Sequence, residues 1–393
     1  MSPALDVPEG YKLTEVGVIP GDWEVKQISD LATVGSGGTP SRKNPTFWGG
    51  SIPWVTTSQI DFGIINWADQ FITDDGLQNS AAKLLPEGTL LLALYGQGKT
   101  RGKVGILGFA AATNQACASI SLFHNTSREY FLHYLASQYE ALRSSSNTGS
   151  QENLNGKIVK EFPVICPPPI EQRAIATALS DVDALLAKLD QLIAKKRDLK
   201  QAAMQQLLTG QTRLPGFSGE WEVKKLGNVV EIRKGQLITE KDAIAGDIPV
   251  IAGGKKPAYF HNRPNRIGKT ITVSASGANA GYVALFDTPI FASDCSTIGE
   301  HKDYSIEFIY FQLLLKQGVI YKAQTGGAQP HIHTVDLIPL EIGVFSLLEQ
   351  TAIATLLSDM DAEIKALEAR QGKTRTLKQG MMQALLTGRI RLP

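Results

Sequence analysis

Apolar residues in the middle of the chain recur at alternating steps of four and three residues. The first series is Ile175, Leu179, Val182, Leu186, Leu189 and Ile193, and the second is Ile353, Leu357, Met360, Ile364 and Leu367. These steps align apolar side chains along a narrow stripe of a helix, which is typical of a coiled-coil seam. The pattern therefore predicts two long helices, each with a stripe that must be covered.

Proline and glycine predict where both helices begin and end. Pro167, Pro168 and Pro169 suit the start of the first helix, and Gly210 and Gly388 suit the two ends. Each helix is then about 40 residues long, which corresponds to roughly 60 Å.

The simplest way to cover both stripes is to pack the helices antiparallel as a rod, with an insert at each end. The alternative is that each helix belongs to the core of its own domain. A narrow stripe over such a length favours the rod. Gln371 interrupts the second seam, and Gly372 and Gly380 each cost about 1 kcal/mol relative to alanine. We therefore expect weaker packing in the far half of the second helix.

Both helices belong to an internal repeat with a constant offset of 178 residues. Residues 170–177 match residues 348–355, and the repeat continues to the triplets 213–215 and 391–393. A shorter repeated segment, 21–26 with 219–224, has an offset of 198, so the first half carries about 20 additional residues. Residues 18–23, near the start of the chain, also resemble residues 216–221, which directly follow the triplet 213–215. The repeat is therefore circular, which predicts that the two termini lie near each other.

The two inserts between the repeated elements look unrelated to each other, and each has the pattern of a mixed α/β domain. Predicted strands lie at 88–94, 104–109 and 116–122, and at 271–274, 281–286 and 289–292. Predicted helices lie at 130–142 and 306–315. The predicted fold class is α/β: two globular domains separated by two long helices packed as an antiparallel coiled coil, with a pseudo-twofold internal repeat.

The charge balance, the lengths of apolar runs and the cysteine positions argue against several classes of protein. The 393 residues include 39 basic and 38 acidic side chains, for a net charge of +1. This balance argues against a non-specific nucleic-acid coat, although local phosphate contacts can still support DNA binding. The chain has no run of 18 apolar residues, and residues 1–10 lack the features of a signal peptide. Cys117, Cys166 and Cys295 form no CxxC pair, which favours buried thiols in a reducing cytoplasm over a zinc site or disulfides.

The loops of both inserts are rich in glycine, hydroxyl, amide and basic residues, which suit contacts to phosphates and base edges. Ordinary solvent-exposed turns have the same composition, so that interpretation stays open. The DNA-contact candidates of the first insert are Ser36, Thr39, Arg42, Lys43, Thr57, Ser58, Gln97, Lys99, Arg101, Lys103, Ser150, Gln151 and Asn153. Those of the second insert are Lys234, Lys255, Lys256, Ser276, Asn279, Gln329 and His331.

One segment, residues 93–100, fits a relaxed phosphate-binding-loop pattern. That chemistry requires a helix to follow, so that its N-terminal amides face the phosphates. A glycine-rich strand pattern follows instead at 101–108. A basic loop of Lys99, Arg101 and Lys103 that faces a DNA backbone is therefore the preferred interpretation.

Other catalytic motifs are incomplete. The segment 44–47 has an amide, one proline and an aromatic residue, but lacks the second proline of the amino-methyltransferase motif. His331 and His333 have no nearby carboxylate or cysteine pattern that would complete a metal site. The segment 293–296 has no partnered base that the sequence reveals. We therefore predict no catalytic residue and no metal ligand.

Several short motifs resemble those of the specificity subunits of type I restriction-modification systems, over essentially the whole chain. In the first insert they are Gly37-Gly38-Thr39-Pro40-Ser41-Arg42, Trp48-Gly49-Gly50, Ile52-Pro53-Trp54-Val55, Asn114-Gln115-Ala116 and Gln151-Glu152-Asn153-Leu154. In the second they are Ser274-Ala275-Ser276-Gly277, Gly281-Tyr282-Val283, Ser293-Asp294-Cys295 and Ala328-Gln329-Pro330-His331-Ile332. Glu171-Gln172 and Glu349-Gln350 at the helix starts are also similar to the family pattern. His333 departs from it.

The resemblance implies a non-catalytic subunit that binds an asymmetric, two-part sequence in double-stranded DNA. Target-recognition domains at 1–168 and 211–345 would each read one half, and spacer helices at 169–210 and 346–393 would separate them. Two modification (methyltransferase) subunits and the restriction subunits are the implied partners. S-adenosylmethionine, ATP and Mg²⁺ are expected on those partners, and no cofactor or membrane contact is expected for this chain.

A hypothesis about DNA spacing follows from this organisation. If helix length fixes the separation of the two domains, it also fixes the unread gap in the DNA. Shortening one helix should then change the tolerated gap and leave both half-sites intact. The open alternatives are an assembly scaffold without a DNA role, and a free-standing enzyme, either a nucleotide hydrolase that uses the Lys99 loop or a methyltransferase. A solitary subunit that redirects another system's modification subunits is a variant within the family.

Overall fold

The computed structural model describes residues 7–96, 98–145, 153–326 and 329–393. Three predicted DNA-contact residues, Gln97, Ser150 and Gln151, lie outside the described residues. The chain divides into two compact units. Unit 1 comprises Met1–Lys188 and Gln371–Pro393, and unit 2 comprises Leu189–Arg370. Both are mixed α/β, as predicted.

Unit 1 contains twelve described strands and five short helices, and it shares a sixth, long helix with unit 2. The strands are β1 Tyr11–Thr14, β2 Gly17–Pro20, β3 Glu24–Gln27, β4 Ala32–Ser36, β5 Trp48–Val55, β6 Ile64–Ile65, β7 Gln70–Ile72, β8 Leu90–Ala93, β9 Val104–Leu107, β10 Ala112–Thr113, β11 Cys117–Leu122 and β12 Pro163–Cys166. The helices are α1 Ile28–Leu31, α2 Asp74–Gln78, α3 Arg128–Ser137, α4 Tyr139–Ser144, α5 Gly156–Glu161 and the long α6 Pro169–Thr209.

The strands of unit 1 form two larger sheets, from which the candidate loops extend. They also form two separate two-stranded pairs, β1-β2 and β12-β3. One sheet has the order β4-β11-β8-β9-β6, and the other has the order β10-β5-β7. The predicted strands at 88–94, 104–109 and 116–122 correspond to β8, β9 and β11. The predicted helix at 130–142 is divided at Gln138, whose backbone (φ −92°, ψ 13°) ends α3 and leads into α4.

The core of unit 1 contains residues of the sheets, of the start of α6 and of the end of α10. Trp23, Tyr130 and Phe131 are fully buried there. Ile175 and Leu179 of the first turns of α6 are also fully buried, and Leu385 and Leu386 lie in the same cluster. The beginning of the first predicted seam therefore packs into a globular core.

Unit 2 contains nine described strands, three short helices and most of a second long helix. The strands are β13 Glu222–Lys225, β14 Ile232–Lys234, β15 Ile248–Ile251, β16 Tyr259–His261, β17 Thr270–Ser274, β18 Val283–Phe286, β19 Phe291–Ala292, β20 Cys295–Gly299 and β21 Glu341–Val344. The helices are α7 Ile306–Leu315, α8 Gln317–Lys322, α9 Thr334–Leu337 and the long α10 Leu347–Leu385, whose last turns belong to unit 1.

Unit 2 repeats the topology of unit 1, although the inserts look unrelated in sequence. The sheet β14-β20-β17-β18 corresponds to β4-β11-β8-β9, and β16-β15-β19 corresponds to β7-β5-β10. The pairs α3 and α7, α4 and α8, and β12 and β21 each keep the offset of 178 residues. A strand order can be kept while residue identities diverge, because the central strands β8, β9 and β17 require buried side chains and backbone pairing but no particular residue.

Most of the additional residues of unit 1 lie between β5 and β8. Val55 and Leu90 are 35 residues apart, whereas their counterparts Ile251 and Ile271 are 20 apart. The longer segment contains β6, β7 and α2, and the shorter one contains only β16. The extension therefore adds a strand and a helix at one side of the sheets.

Ion pairs connect α6 to α10, and the paired positions increase along α6 while they decrease along α10. In unit 2, Lys196 pairs with Glu363 at 2.7 Å, and Lys200 pairs with Asp361 at 2.5 Å. In unit 1, Asp183 pairs with Lys378 at 2.5 Å. Asp183 and Lys200 are each 178 residues before Asp361 and Lys378, so the repeat supplies the same ion pair twice. These contacts fit an antiparallel packing of the helices within each unit.

Each globular core contains residues from both long helices, which differs from the alternative that each helix belongs to the core of its own domain. In unit 2 the seam residues Ile353 and Leu357 of α10 are fully buried together with Leu207 and Leu208 of α6. Further along, Ile364 is buried at 7% exposure and lies among the interhelix ion pairs. The helix starts therefore serve the globular cores, and their middle parts face each other.

Glycines end both long helices, as predicted. Gly210 and Gly388 have φ values of +74° and +72°, in the left-handed region that favours glycine. A Cβ at Gly210 would collide with Trp221, and one at Gly388 would collide with Pro20 and Trp23. By contrast, α10 continues through the exposed residues Gly372 and Gly380, despite a helix cost of about 1 kcal/mol for each.

The first described strands of unit 1 lie near the end of the chain, as the circular repeat predicts. The hydroxyl of Tyr11 donates a hydrogen bond of 2.9 Å to the carbonyl of Gly388. Arg391 donates two hydrogen bonds, of 2.9 and 2.8 Å, to Asp22. Among the described residues, no helix is long and apolar enough to cross a membrane.

Candidate nucleic-acid interface

The loop that follows β4 in unit 1 is fixed by hydrogen bonds at several points. The amide of Gly38 donates to the carbonyl of Thr113 at 2.8 Å, and the indole of Trp54 donates to the carbonyl of Gly38 at 3.0 Å. The Thr39 hydroxyl donates to Gln115 at 2.5 Å. A glycine is required at position 37, because a Cβ there would lie 2.2 Å from the backbone oxygen of Thr113. The loop can therefore present Arg42 and Lys43 from a defined backbone.

The second candidate loop of unit 1 connects β8 to β9. The structure places Arg101 in the interior at 6% exposure, although the sequence interpretation put it on a basic loop facing DNA. Helix α4 holds this segment, since Tyr139 donates to the carbonyl of Lys99 at 2.6 Å and Arg143 donates to that of Arg101 at 3.0 Å. Lys103 is paired with Asp61 at 2.7 Å. Among the three predicted cations of this loop, Lys99 is the exposed one, and its contact with DNA stays a prediction.

The same loop lacks the geometry of a nucleotide site. The element after residues 98–103 is strand β9, as the sequence predicts, and not a helix. The helix N-terminus that a phosphate-binding loop requires is therefore not present in this described segment.

Three candidate loops of unit 2 come together. A Cβ at Gly253 would lie 2.6 Å from the carbonyl of Ser276, so the loop with Lys255 approaches the loop after β17. Ser276 forms a β-bridge with His331 and hydrogen-bonds to the carboxylate of Asp294. The ammonium of Lys255 lies 5.4 Å from the centre of the Tyr282 ring. This cluster places hydroxyl, imidazole and ammonium groups on one face of unit 2.

The remaining candidates vary in exposure. Exposed side chains are Ser36, Arg42, Lys43, Ser58, Lys99, Lys234, Lys255, Lys256 and Gln329. Half-buried side chains are Thr39, Thr57, Lys103, Asn153, Ser276, Asn279 and His331. The DNA contacts themselves stay predictions, and the exposed cations are the best placed to make them.

Sequence reasoning missed the residues that support these loops. Trp48 and Trp54 lie beneath Arg42, and Tyr282 lies beneath Lys255. Gln115 and Asp294 hold Thr39 and Ser276 by hydrogen bonds. All five occur in the motifs that carry the family resemblance, which is a signal that could have been used to find them.

The chemistry of the cysteines argues against nucleophilic roles. Burial raises the pKa of Cys117 and that of Cys295 to about 12, so both thiols stay protonated near neutral pH. Burial also raises the pKa of Cys166 to about 11. Within residues 7–96, 98–145, 153–326 and 329–393, no three His, Cys, Asp or Glu side chains are grouped to hold a metal ion.

The Glu-Gln pairs at the helix starts have matching structural roles in the two units. Gln172 accepts from the amide of Ser127 at 3.1 Å and donates to the carbonyl of Pro167 at 2.9 Å. Gln350 makes the equivalent bonds to Ser305 and Phe345, at 3.1 and 2.9 Å. Each glutamine therefore fastens the start of a long helix to the loop before α3 or α7.

A family profile described as "Type I restriction modification DNA specificity domain" matches residues 20–195 and 218–374. The chain belongs to this family. The two matched segments correspond to the two halves of the repeat. Members of the family are the non-catalytic, sequence-specifying components of type I restriction-modification systems, as the sequence predicts.

Individual relatives agree with this assignment. The type I restriction enzyme MjaVIII specificity subunit of Methanocaldococcus jannaschii is 22% identical over 410 residues, covering 95% of this chain and 94% of the relative. The MjaIX specificity subunit of the same organism is 29% identical over 258 residues, covering 59% of this chain and 57% of the relative. The crystal structure of a type I S subunit from M. genitalium has a TM-score of 0.66 at 17% identity, over 95% of this chain and 97% of that one. This last likeness shows the fold.

Proposed function

We propose that this specificity subunit binds an asymmetric DNA site in two halves, one half with each unit. The observation that carries the proposal is that one chain contains two units with the same strand order and different loops. The common topology supplies two equivalent frameworks. The different loop residues supply two different sets of contacts, which predicts two unrelated half-sites.

We propose further that two identical modification subunits dock on the parts that the units share. Two copies of one partner need two equivalent surfaces, and each unit has a cleft at the same place in the repeat. In unit 1 a cleft of about 460 Å³ is lined by Arg128 at the start of α3 and Arg173 in α6. In unit 2 a cleft of about 470 Å³ is lined by Ile306 of α7 and Thr351 of α10, the residues 178 positions later.

The remaining parts of the proposal concern the assembled complex. Restriction subunits would join the modification subunits, and S-adenosylmethionine, ATP and Mg²⁺ would be bound by these partners. The complex would act on DNA in the cytoplasm. The unread gap between the half-sites would depend on the lengths of α6 and α10, each of which contributes residues to both units.

The test is to co-express the chain with its modification subunits in a host without adenine methylation and to map the methylated adenines. We expect one two-part motif with a methylated adenine in each half. Replacing Lys255 and Ser276 by alanine should alter recognition in one half only. The matched replacement of Thr39 and Arg42 should alter the other half.

Two results would contradict the proposal. A complex that assembles but methylates without a sequence motif would favour the assembly scaffold. Binding of ATP or S-adenosylmethionine by the chain alone would favour a free-standing enzyme.

A further inference from the structure

Unit 1 holds the guanidinium of Arg42 on a platform of two tryptophans. The Cζ atom of Arg42 lies 3.7 Å from the ring centre of Trp48 and 5.1 Å from that of Trp54. The two indoles meet edge to face, with ring centres 5.1 Å apart. We call Trp48 and Trp54 the indole platform. A planar cation stacked in this way has lost much of its rotational freedom before any ligand binds.

The platform is itself fixed to the loop that carries Arg42. The indole nitrogen of Trp48 donates to the carbonyl of Ser41 at 3.3 Å, and that of Trp54 donates to the carbonyl of Gly38 at 3.0 Å. Asn44 caps the short turn at Pro45–Phe47, since its side chain accepts from the amide of Thr46 at 3.1 Å. Backbone and side chain are therefore both positioned.

The hydrogen-bond donors of Arg42 remain available. Its side chain is exposed, and within the described part of the chain it pairs with no carboxylate, unlike Lys103 with Asp61. The Cζ atom of Arg42 lies over the Trp48 ring, and a contact with the ring leaves the five N–H groups of the guanidinium as donors for a ligand. The arrangement presents a fork of donors whose direction is set by the platform.

The platform stands on β5, a strand that unit 2 keeps as β15, but the residues differ. Trp54 pairs with Ala112 of β10, and Val250 occupies the corresponding place opposite Phe291 of β19. Unit 2 thus keeps the strand pairing and replaces the second indole with a small aliphatic side chain. The second indole is therefore present in unit 1 and absent from the matching position of unit 2.

We propose that Arg42 reads a guanine in the major groove of the half-site bound by unit 1. Guanine presents two acceptors, O6 and N7, that match a fixed guanidinium fork. A phosphate contact needs charge and little orientation, which the neighbouring Lys43 can supply without a platform. This inference rests on the proposed function and adds to it one residue, one base and one half-site.

The experiment uses the whole complex with its modification subunits. The site is first defined by methylated-adenine mapping, and competition binding at fixed salt then compares duplexes in which each base pair of the unit 1 half-site is replaced in turn. We expect the wild type to discriminate at one G·C pair by roughly 5- to 150-fold. Arg42→Ala should lose this discrimination and keep that at the other positions. Arg42→Lys should not restore it, because an ammonium lacks the fork.

Two further variants separate base reading from charge and from folding. Lys43→Ala removes the same charge one residue away and should weaken binding to every duplex by a similar factor. Trp48→Leu keeps apolar bulk but removes most of the stacking surface, and it should lower discrimination at the same G·C pair only. Thermal unfolding of each complex checks that the variants fold.

The proposal is overturned if Arg42→Ala weakens all duplexes equally, since that result indicates a phosphate contact. Wild-type discrimination in Arg42→Lys would overturn the requirement for a guanidinium fork. Unchanged discrimination in Trp48→Leu would overturn the role of the platform. A wild-type complex without any sequence selectivity would instead contradict the proposed function. The two failures are therefore distinguishable.

Discussion

The indole nitrogen of Trp23 donates a hydrogen bond of 2.9 Å to Oε2 of Glu171, at the start of the first long helix. Arg391, near the other end of the chain, also donates to Glu171 at 2.7 and 2.8 Å. Glu171 is only 4% exposed, so these donors compensate a buried carboxylate. Trp23, from the first part of the described chain, and Arg391, from the last, are thereby joined to one residue of α6.

The corresponding tryptophan of unit 2 makes a different set of contacts, which gives a matched test. Among the described residues, the buried indole nitrogen of Trp221 has no hydrogen-bond partner, whereas Trp23 donates to Glu171. Trp23→Phe should therefore destabilise the protein by about 1–3 kcal/mol, because it removes a donor from a buried charge. Trp221→Phe should cost clearly less, since no hydrogen bond is lost. Chemical denaturation of the two variants gives the comparison, and equal losses would contradict it.

Arg391→Ala should destabilise the protein at neutral pH by about 2 kcal/mol or more, because Glu171 would keep its charge without its main partner. Burial alone would raise the pKa of Glu171, but hydrogen bonds from Arg391 and Trp23 outweigh burial and lower it. The stabilisation from this group is therefore complete above pH 4.5 and is lost as pH falls through the lower pKa of the folded state.

The pH dependence supplies the control for that substitution. Arg391→Ala removes the larger side-chain hydrogen-bond contribution that lowers the pKa of Glu171, so this pKa should rise and the difference in stability between wild type and variant should narrow below pH 4.5. Arg389→Ala, in the same tail, removes an exposed side chain whose hydrogen bond to Thr387 is long, at 3.4 Å, and should change little. Thermal unfolding of the three proteins from pH 3 to 7 checks this, and a gap that does not depend on pH would contradict it.

A buried histidine faces the ion pair of unit 1. His133 is 4% exposed, its Nε2 lies 3.2 Å from the hydroxyl of Ser180, and Nδ1 lies 3.9 Å from Asp183. Burial, assisted by the charge of Lys378, lowers the pKa of His133 to about 4. In unit 2 the residue 178 positions later is Phe311, which packs near Lys200.

The lowered pKa predicts acid sensitivity in unit 1. The unfolded chain binds a proton below about pH 6.5 and the folded chain only near pH 4, so stability should fall as pH decreases between these values, by roughly 3 kcal/mol in total. His133→Phe should remove this dependence, and Phe311→His should introduce one into unit 2. Unfolding midpoints measured from pH 4.5 to 7.5 test both. A wild-type midpoint that stays constant across this range would refute the assignment.

The sequence predicted the elements better than their contacts. Periodicity located α6 and α10, because a repeated apolar step leaves a clear pattern, and Gly210 and Gly388 marked their ends. The pattern did not show that Ile175 and Leu179 would be buried in a globular core, because a seam position and a core position have the same apolar requirement. Such a choice depends on residues distant in the chain, here Leu385 and Leu386.

Residue type alone was used to predict the DNA-contact residues, and the structure shows that one of them, Arg101, is buried. Arg101 looked like an exposed cation because its neighbours are glycine and lysine, yet the approach of α4 encloses it. The role of Trp48 beneath Arg42 depends on a loop that bends back on strand β5, which local sequence does not encode. The common topology of the two inserts was hidden, because strand pairing constrains burial and leaves identity free.

The last prediction concerns the gap between the half-sites. Inserting seven residues after Lys188 and seven after Arg370, where both helices pass between the units, keeps the apolar steps of each seam in phase. Seven helical residues add about 10 Å, which is roughly three base pairs of DNA. Methylated-adenine mapping should therefore show both half-sites unchanged and the gap about three base pairs longer. The ion pairs change the earlier expectation that a change in one helix is tolerated. An insertion in only one helix should impair assembly, because Lys200–Asp361 and Asp183–Lys378 could not both form. If the doubly extended protein methylates with the original gap, the helices do not set the spacing.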